Sequence, residues 1–311
     1  MDSLNRMAIE LADEALDFAD ELRIGAFELE NGTTVLDFGL EHPGGLEAAL
    51  LLSELQTAGL ATLQTRMDEV AGAPLPHVEV AVDDPAVPLL CSQKASWEIA
   101  LDGFEGLGSG PARALVAEET EFRQLGYTDA FDFAVLTVES DDYPDEAVAE
   151  AIAERAGVEP GSLYLAVYPT ASVAGSVSAA ARAAELSVFR LNEAGYDPTN
   201  VDTVAASAPV APVAGDEDTA IARTNDAVAY GGQVHLTVSE DDPEAFAAAV
   251  STAGEEYGRP FADVYADAEW DFSAVDPAAV APAQATVSVS GGPTHALGGT
   301  DEDVLADSFG L

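Results

Sequence analysis

The sequence predicts an α+β, or mixed α/β, fold. Helical and strand-like segments alternate along the chain, and a β-hairpin pattern near each end argues against a purely doubly wound parallel sheet. At 311 residues, the chain has the length of about two domains of roughly 150 residues each. We therefore expect two α/β domains, one over residues 1–125 and one over residues 126–311, and leave open that one of them is discontinuous.

The N-terminal part begins with a predicted amphipathic helix, because apolar residues recur at helical spacing over residues 4–22. Asn31-Gly32 is a typical two-residue hairpin turn between two alternating segments. Residues 88–113 are rich in Gly, Ser and Pro and are interpreted as loops that carry function. The elements predicted here are a helix over 4–22, strands over 23–30 and 34–38, a helix over 46–60, and strands over 61–70 and 77–82.

The C-terminal part alternates more regularly. Pro144 and the acids after it are typical of a helix start, and Gly195 is typical of a helix end. The predicted strands cover 131–138, 163–167, 201–205 and 233–238, the predicted helices cover 144–156, 171–193 and 243–256, and a hairpin of 283–290 and 294–297 precedes a short acidic helix.

Acidic residues dominate the charge of the chain. There are 57 Asp and Glu residues against 11 Lys and Arg, which gives a formal net charge of −46. The acids run from Asp2 to Asp307 among well-patterned apolar segments, so they do not form a disordered acidic tail. Nucleic acids and anionic membranes both favour Lys and Arg, so neither is an expected partner.

This acidity is interpreted as an adaptation to a cytoplasm with molar potassium chloride. At about 1 M salt the Debye length is about 3 Å, which screens the repulsion among carboxylates. Ten of the 11 basic residues are arginine, so Lys94 is the only lysine in the chain. A single retained lysine indicates either chemistry that needs a compact ammonium group or a structural position.

Little in the sequence indicates a cofactor, a metal or export. The four histidines are far apart, and the single cysteine, Cys91, lies in an apolar segment where it is expected to pack. No signal-peptide pattern and no apolar run of about 20 residues occurs. We therefore expect a cytoplasmic protein with no cofactor.

A glycine-rich turn is one candidate for ligand binding. Residues 106–111 (GLGSGP) precede Arg113 and resemble a phosphate cradle at a helix start, but the Lys-Ser/Thr pair of a phosphate-binding loop is missing. The turn serves either close approach of a ligand to the backbone or a purely structural purpose.

Arg182 and Glu185 are the second candidate. They lie three residues apart in the predicted helix over 171–193, so their side chains share a face. Such a pair is usually solvated and contributes a few tenths of a kcal/mol, about 0.3–0.5. Here the flanking residues 176–181 (SVSAAA) and 186–189 (LSVF) are small or uncharged, which indicates burial in so acidic a chain. A buried arginine–glutamate pair favours a catalytic pocket.

Several segments occur in the order found in one enzyme family. They are 91–97 (CSQKASW), 108–114 (GSGPARA), 169–177 (PTASVAGSV), Arg182 with Glu185, 192–198 (NEAGYDP), 224–226 (TND), 230–232 (YGG), 257–261 (YGRPF), 276–277 (DP) and 281–284 (APAQ). By these segments the chain resembles the methenyltetrahydromethanopterin cyclohydrolase family over nearly its whole length.

The resemblance implies a cytoplasmic homotrimer whose subunit has two α/β domains with a pterin pocket between them. It implies a hydrolase of archaeal one-carbon metabolism that interconverts a methenyl-pterin cation plus water and the 5-formyl-pterin. The tetrahydropterin carrier is then the substrate, no cofactor is needed, and high potassium salt is required, in agreement with the acidity. Methanopterin and a folate analogue both remain open as the carrier, and a non-catalytic pterin-binding protein is the alternative.

The reaction assigns roles to three residues of the matched segments. The methenyl carbon carries its own positive charge, so hydrolysis needs a placed water, a base and a hydrogen-bond donor. Glu185 is the expected base, Arg182 is expected to orient it and balance its charge, and Lys94 is expected to donate to the forming hydroxyl or formyl oxygen. Substrate binding is expected at Ser92, Gln93, Ser96, Gly108, Ser109, Gly110, Arg113, Thr170 and Ser172.

Overall fold

The computed structural model describes residues 2–269 and 274–311. The chain forms two compact units, each assembled from two segments. The first unit comprises residues 1–61 and 87–178, and the second comprises residues 62–86 and 179–311. Residue 125, the boundary expected from the sequence, lies inside the first unit, and residues 62–86 leave that unit because they form a hairpin in the sheet of the second.

The helices and strands have the following bounds. Up to residue 125 they are α1 (Leu4–Asp17), α2 (Ala19–Leu22), β1 (Gly25–Glu28), β2 (Thr34–Asp37), α3 (Leu46–Gln56), β3 (Thr62–Val70), β4 (Ala73–Asp83), a π-helical segment (Ala86–Gln93), β5 (Trp97–Leu101), β6 (Phe104–Ser109), α4 (Arg113–Val116) and α5 (Thr120–Leu125). They continue with β7 (Ala134–Glu139), α6 (Glu146–Ala156), β8 (Leu163–Tyr168), α7 (Val173–Ala181), α8 (Ala183–Glu193), β9 (Val201–Pro209), α9 (Glu217–Gly231), β10 (Gln233–Val238), α10 (Pro243–Ala247), α11 (Phe261–Asp267), β11 (Gln284–Val289), β12 (Thr294–Gly298) and α12 (Glu302–Phe309). The predicted α+β class is confirmed, and the pocket implied by the resemblance stays a prediction.

The first unit is built on a six-stranded sheet with the order β1-β2-β8-β7-β6-β5. Strands β2, β8 and β7 run parallel, whereas β1, β6 and β5 pair antiparallel with their neighbours. The parallel strands end at Asp37, Tyr168 and Glu139, so the loops after them lie along one edge of the sheet, where α/β proteins commonly bind ligands.

The core of this unit lies between the parallel strands and α6. Val35, Leu136 and Leu165 belong to the strands, Val148 and Ile152 belong to α6, and all five side chains are buried. The strands β7 and β8 are nearly continuous apolar runs, as expected for strands buried on both faces. A rigid core of this kind fixes the loops at the strand ends.

The second unit is built on a six-stranded sheet with the order β12-β11-β10-β9-β4-β3. Only β10 and β11 pair in parallel among these neighbours. Val204, Leu236 and Val287 are cross-strand partners on the buried face, and α8 and α9 pack against β9. Since side chains of a strand alternate between faces, the residues between them point the other way.

The opposite face of the second sheet carries small and polar side chains. We call it the open face, and define it by two cross-strand rows, namely Ala81, Ala205, His235 and Thr286, and Glu79, Ser207, Gln233 and Gln284. All of these residues are half-buried or exposed. A groove of about 530 Å³ runs over them.

Most predicted elements are present, and the differences concern three helices and one loop region. The predicted helices over 4–22 and 171–193 are each interrupted, at Phe18 and at Arg182. The predicted helix over 243–256 is shorter and ends at Ala247. The interpretation of residues 88–113 as loops is wrong, because a π-helical segment, β5 and β6 occupy most of them.

The hairpin of β5 and β6 and the helix α9 are among the elements that the sequence patterns do not predict. The hairpin of β5 and β6 turns at Asp102-Gly103, where both residues have positive φ (51° and 96°), the geometry of a tight hairpin turn. Helix α9 buries Thr224 and Asp226 among its apolar residues, so its sequence lacks a clean apolar stripe.

Candidate active site

A break between two helices places Arg182 and Glu185. Arg182 follows α7 and precedes α8, and its N–H donates to the carbonyl of Ala179 at 3.1 Å, a tighter turn than the α-helix makes. Glu185 then lies in the first turn of α8. The break separates the two helices directly before the carboxylate that the sequence singles out.

The two side chains form a buried ion pair. Arg182 Nε and Nη2 both donate to Glu185 Oε2, at 3.0 and 2.9 Å. The Glu185 side chain is 1% exposed and the Arg182 side chain 23% exposed. The predicted burial of this segment is therefore confirmed.

The other oxygen of Glu185 differs from the first. Glu185 Oε1 is buried and accepts no hydrogen bond from any residue within 2–269 or 274–311. Buried carboxylate oxygens are normally satisfied, and an orphaned acceptor marks a place for a water or a substrate donor. One oxygen is thus held by arginine while the other is available for proton transfer.

Lys94 lies in a cluster of charged side chains in the first unit. Its N–H donates to the carbonyl of Leu89 at 2.8 Å, at the end of the π-helical segment, a rare element that is frequent at functional sites. Its ammonium donates to Glu121 at 2.6 Å and lies 3.6 Å from Glu119. The side chain is 16% exposed, so this lysine is mostly withdrawn from solvent.

Arg113 fastens this cluster to the backbone. Its side chain is 1% exposed and donates to the carbonyls of Ser92 and Leu90, at 3.0 and 3.2 Å. It also forms a two-pronged ion pair with Glu119, with 3.0 Å between Arg113 Nε and Glu119 Oε1. Fixed, planar pairing of this kind is a property of arginine that lysine lacks.

Glu119 is held on several sides. Burial raises the pKa of its carboxyl. The hydrogen bond and charge of Arg113, the Ser96 hydroxyl and the charge of Lys94 together outweigh burial, so the pKa of Glu119 lies below its ordinary value. Ser96 Oγ donates to Glu119 Oε2 at 2.8 Å. Glu119 is therefore a stable anion beside Lys94.

The glycine-rich turn packs within its own unit. Gly108 lies in β6, and a Cβ there would be 3.1 Å from the Cβ of Trp97. Gly110 has a φ of +104°, and its N–H donates to the carbonyl of Ser92 at 2.8 Å. Ser109 and Thr137 hydroxyls are joined at 2.8 Å. These glycines allow close packing of β6, and α4 begins only at Arg113.

Thr170 and Ser172 shape the loop after β8. Thr170 Oγ1 donates to Glu139 Oε1 at 2.5 Å. Ser172 Oγ donates to the carbonyl of Pro169 at 2.7 Å and accepts the N–H of Gly175 at 2.9 Å. Both hydroxyls thus hold the start of α7 at the carboxyl edge of the first sheet.

The predicted site residues therefore occupy three places. One is a region of the first unit formed by the end of the π-helical segment, the end of β6 and the start of α4, which carries Ser92, Gln93, Lys94, Ser96, Gly108, Ser109, Gly110 and Arg113. The second is the loop with Thr170 and Ser172 in the same unit, and the third is the Arg182–Glu185 pair of the second unit.

Asp37 is a functional candidate that the sequence reasoning misses. The carboxylate is fully buried at the end of β2 and accepts the N–H groups of Gly39, Leu40, Glu41 and His42, the His42 ring and the Tyr143 hydroxyl. Burial raises its pKa, but the hydrogen bonds from Tyr143, Gly39, His42 and Glu41 outweigh burial and lower it to about 2. The ordered loop reaches Ser172, because a Cβ on Gly39 would be 2.8 Å from the Ser172 Cβ. The only local signal is the HPGG turn after the strand.

The cysteine, the metal-ligating side chains and the helix lengths in the part of the chain that the structure describes indicate no further kind of site. Cys91 is buried as predicted, and burial raises the pKa of its thiol to about 12. The described residues contain no group of three or more His, Cys, Asp or Glu side chains arranged to hold a metal ion. No helix within the described ranges is long and apolar enough to cross a membrane.

Fold and site define an α+β protein of two mixed sheets with a carboxylate paired to arginine and buried at a helix start. Residues 3–309 match the family Cyclohydrolase (MCH), and the chain belongs to this family. A Halobacterium salinarum protein named methenyltetrahydromethanopterin cyclohydrolase is 65% identical over 311 residues, the whole of both chains. Proteins of the same name from Methanosarcina barkeri and Methanospirillum hungatei are 38% and 34% identical, over all of this chain and 99% of theirs. The family membership that the motifs indicate is confirmed.

Proposed function

We propose that this protein is a methenyltetrahydromethanopterin cyclohydrolase, which adds water to a methenyl-pterin cation and opens it to the 5-formyl-pterin. The observation that carries this function is the end-to-end match to proteins of that name, 65% identical in Halobacterium salinarum. The buried Arg182–Glu185 pair supplies a base of the kind that the reaction needs.

In the proposed reaction, a water oxygen bonds to the methenyl carbon while Glu185 accepts one proton of that water. The bond from this carbon to one of its two nitrogens then breaks, and its electron pair stays on the nitrogen. As it breaks, the hydroxyl oxygen forms the C=O bond and loses its proton, the nitrogen takes up one proton, and Glu185 releases its own proton to solvent. One methenyl cation and one water thus give one neutral formyl-pterin and one released proton.

The geometry of Glu185 supports its role as the base. Arg182 holds Oε2, so the unpartnered Oε1 is the oxygen that would accept the proton. Fixing one carboxylate oxygen also orients the other, so less side-chain entropy is lost when the base reaches the transition state. Arg182 also balances the negative charge of Glu185 in a buried position.

Lys94 is proposed as the donor to the formyl oxygen. Its ammonium lies 2.6 Å from Glu121, and an ammonium is a compact positive donor suited to an oxygen that gains negative charge. Removing a donor of this kind from a transition-state oxygen typically costs about 100- to 1,000-fold in rate. The retained ammonium, in a chain with no other lysine, agrees with this role.

Substrate binding is proposed at the nine residues predicted from the matched segments. Many of their side chains already bond within the protein, for example Ser92 Oγ to the carbonyl of Gln56 at 2.6 Å and Arg113 to Glu119. We therefore infer that they contribute mainly backbone groups and shape to the substrate site, while Lys94 and Glu185 contribute the reacting side chains.

We also propose that the protein acts as a cytoplasmic homotrimer in high potassium salt. The open face supports self-association, because Glu79 is the only acid among its eight defining residues, whereas the chain has 57 acids. Glu79 is itself paired with Arg66 at 2.6 Å. In a trimer this face would meet a different surface of the next subunit, and its low charge reduces the repulsion that the rest of the surface imposes. Sedimentation in molar potassium chloride should give three times the subunit mass, and Ala205→Glu should lower it.

The experiment that tests the function follows loss of the methenyl chromophore in molar potassium chloride. Methenyl-methanopterin and methenyl-folate are compared as substrates with wild type, Glu185→Gln and Glu193→Gln. Glu193 is a matched control, because it pairs with Arg190 three residues away on the same helix but is 38% exposed. We expect Glu185→Gln to lose about 100-fold or more in kcat and Glu193→Gln to keep its rate.

The outcomes separate the alternatives. Turnover that disappears in Glu185→Gln and persists in Glu193→Gln supports the reaction and its base, and the faster substrate identifies the carrier. A folded protein that binds a pterin without turnover overturns the enzyme in favour of the pterin-binding alternative. An active Glu185→Gln overturns the role of Glu185 alone.

A further inference from the structure

Four charged side chains form a compact and electrically balanced cluster in the first unit. Lys94 and Arg113 contribute two positive charges, and Glu119 and Glu121 contribute two negative charges. All four are at least mostly withdrawn from solvent, the most exposed being Glu119 at 26%. Lys94 and Arg113 lie in segments matched to the family, whereas Glu119 and Glu121 belong to no predicted motif.

The two glutamates have different duties in this cluster. Glu119 is bound at both oxygens by Arg113 and receives the Ser96 hydroxyl, so its contact with Lys94, at 3.6 Å, is the weaker one. Glu121 lies in α5, is 8% exposed and accepts from Lys94 at 2.6 Å. Glu121 is therefore the direct partner of the ammonium.

A lysine beside the methenyl carbon raises an electrostatic problem. The methenyl-pterin is a cation, and a bare ammonium in a partly buried site would oppose its binding. The formyl-pterin is the same carrier with one positive charge fewer. A carboxylate on the ammonium removes this opposition.

We propose that Glu121 is a positioning residue that holds Lys94 and neutralises it, so that a cationic substrate binds beside a lysine. This role rests on the proposed function. If Glu121 has this role, the net charge of the Lys94–Glu121 pair determines how tightly the methenyl form binds relative to the formyl form. A merely structural glutamate would change the affinity for both forms alike.

The test measures KM for the methenyl form and for the formyl form, in the two directions of the reaction at one potassium chloride concentration. The proteins are wild type, Glu121→Gln, Lys94→Met and the double variant. Glu118→Gln is the control, because Glu118 precedes the cluster but is 66% exposed and lies 3.4 Å from Arg155. Circular dichroism and the thermal midpoint verify that each variant is folded.

The ratio of the methenyl KM to the formyl KM should follow the charge of the pair. Glu121→Gln leaves a net positive charge and should raise the ratio about tenfold. Lys94→Met leaves a net negative charge and should lower the ratio. The double variant is neutral again and should return close to wild type, as should Glu118→Gln.

An unchanged ratio in Glu121→Gln, or shifts of the same sign in both single variants, overturns the proposal. If Glu121→Gln does not fold, the sign of the shift in Lys94→Met decides. The proposed donor role of Lys94 is tested separately, because it predicts a loss of kcat in Lys94→Met at any KM ratio. An unchanged kcat in this variant would overturn the donor role alone.

Discussion

Arg182 binds only one of the two carboxylate oxygens of Glu185. Its Nε and Nη2 atoms converge on Oε2 at 3.0 and 2.9 Å, instead of bridging both oxygens as arginine does in many ion pairs. The second oxygen, Oε1, is left buried and unpartnered among the residues that the structure describes. The pair therefore combines a fixed orientation with an open acceptor, which is the arrangement a general base requires.

Arg182→Lys should separate orientation from charge. The ammonium keeps the positive charge but cannot hold Oε2 with two fixed donors, so Glu185 should lose its orientation. We expect kcat to fall by about 10- to 100-fold, with little loss of thermal stability. Arg190→Lys, in the other arginine–glutamate pair of α8, is the control. Kinetics of the two variants in molar potassium chloride check this, and a fully active Arg182→Lys would show that charge alone suffices.

The sequence predicts this pair because its signal is local. Spacing along a helix and uncharged neighbours are both visible within about ten residues of Glu185. The partners of Lys94 are different, since Glu121 follows it by 27 residues in a chain that holds 57 acids. In so acidic a chain, no local pattern distinguishes Glu119 and Glu121 from the other acids, and only folding brings them close to the ammonium of Lys94.

The fold also combines elements that a local pattern predicts with others that depend on contacts between distant segments. Alternation of apolar and polar residues predicts β10 and β11, whose faces differ in burial. The transfer of β3 and β4 to the second sheet depends on the pairing of β4 with β9, which no local pattern encodes. Asp37 is also missed, because its four backbone N–H contacts exist only once the loop after β2 is folded.

Asp37→Asn should destabilise the first unit at neutral pH. The pKa of Asp37 is lowered from 3.8 to about 2, so the ionised carboxylate stabilises the fold by about 2 kcal/mol above the unfolded pKa. This stability is fully present above about pH 4 and is lost as the pH falls through about 2. Urea unfolding at several pH values should show a gap between wild type and Asp37→Asn that closes in acid. Asp141→Asn, at an exposed position, should show no gap, and a gap that persists in acid would contradict the prediction.

Asp226→Asn should act in the opposite direction. Burial raises the pKa of Asp226 to about 6, although hydrogen bonds from Ser308 and from the N–H of Phe261 lower it in part. The folded state then binds the proton more tightly than the unfolded state, so wild-type stability should fall as the pH rises from about 4 to about 6. Above that window the uncharged asparagine should make the protein about 2–3 kcal/mol more stable. The same urea titration measures this, and a variant less stable than wild type at neutral pH would refute it.

Gly175→Ala should cost stability, although alanine normally favours a helix over glycine by about 1 kcal/mol. A Cβ at Gly175 would lie 2.4 Å from the Thr170 carbonyl oxygen and 2.5 Å from that of Pro169, and both obstacles are backbone atoms. The loop must move to admit the methyl group, which typically costs about 1–3 kcal/mol. Gly215→Ala meets nothing within 4 Å and is the control. Because Thr170 belongs to the proposed substrate site, we expect Gly175→Ala to lower the thermal midpoint and to raise KM together, whereas a lower midpoint with an unchanged KM would remove this loop from the site.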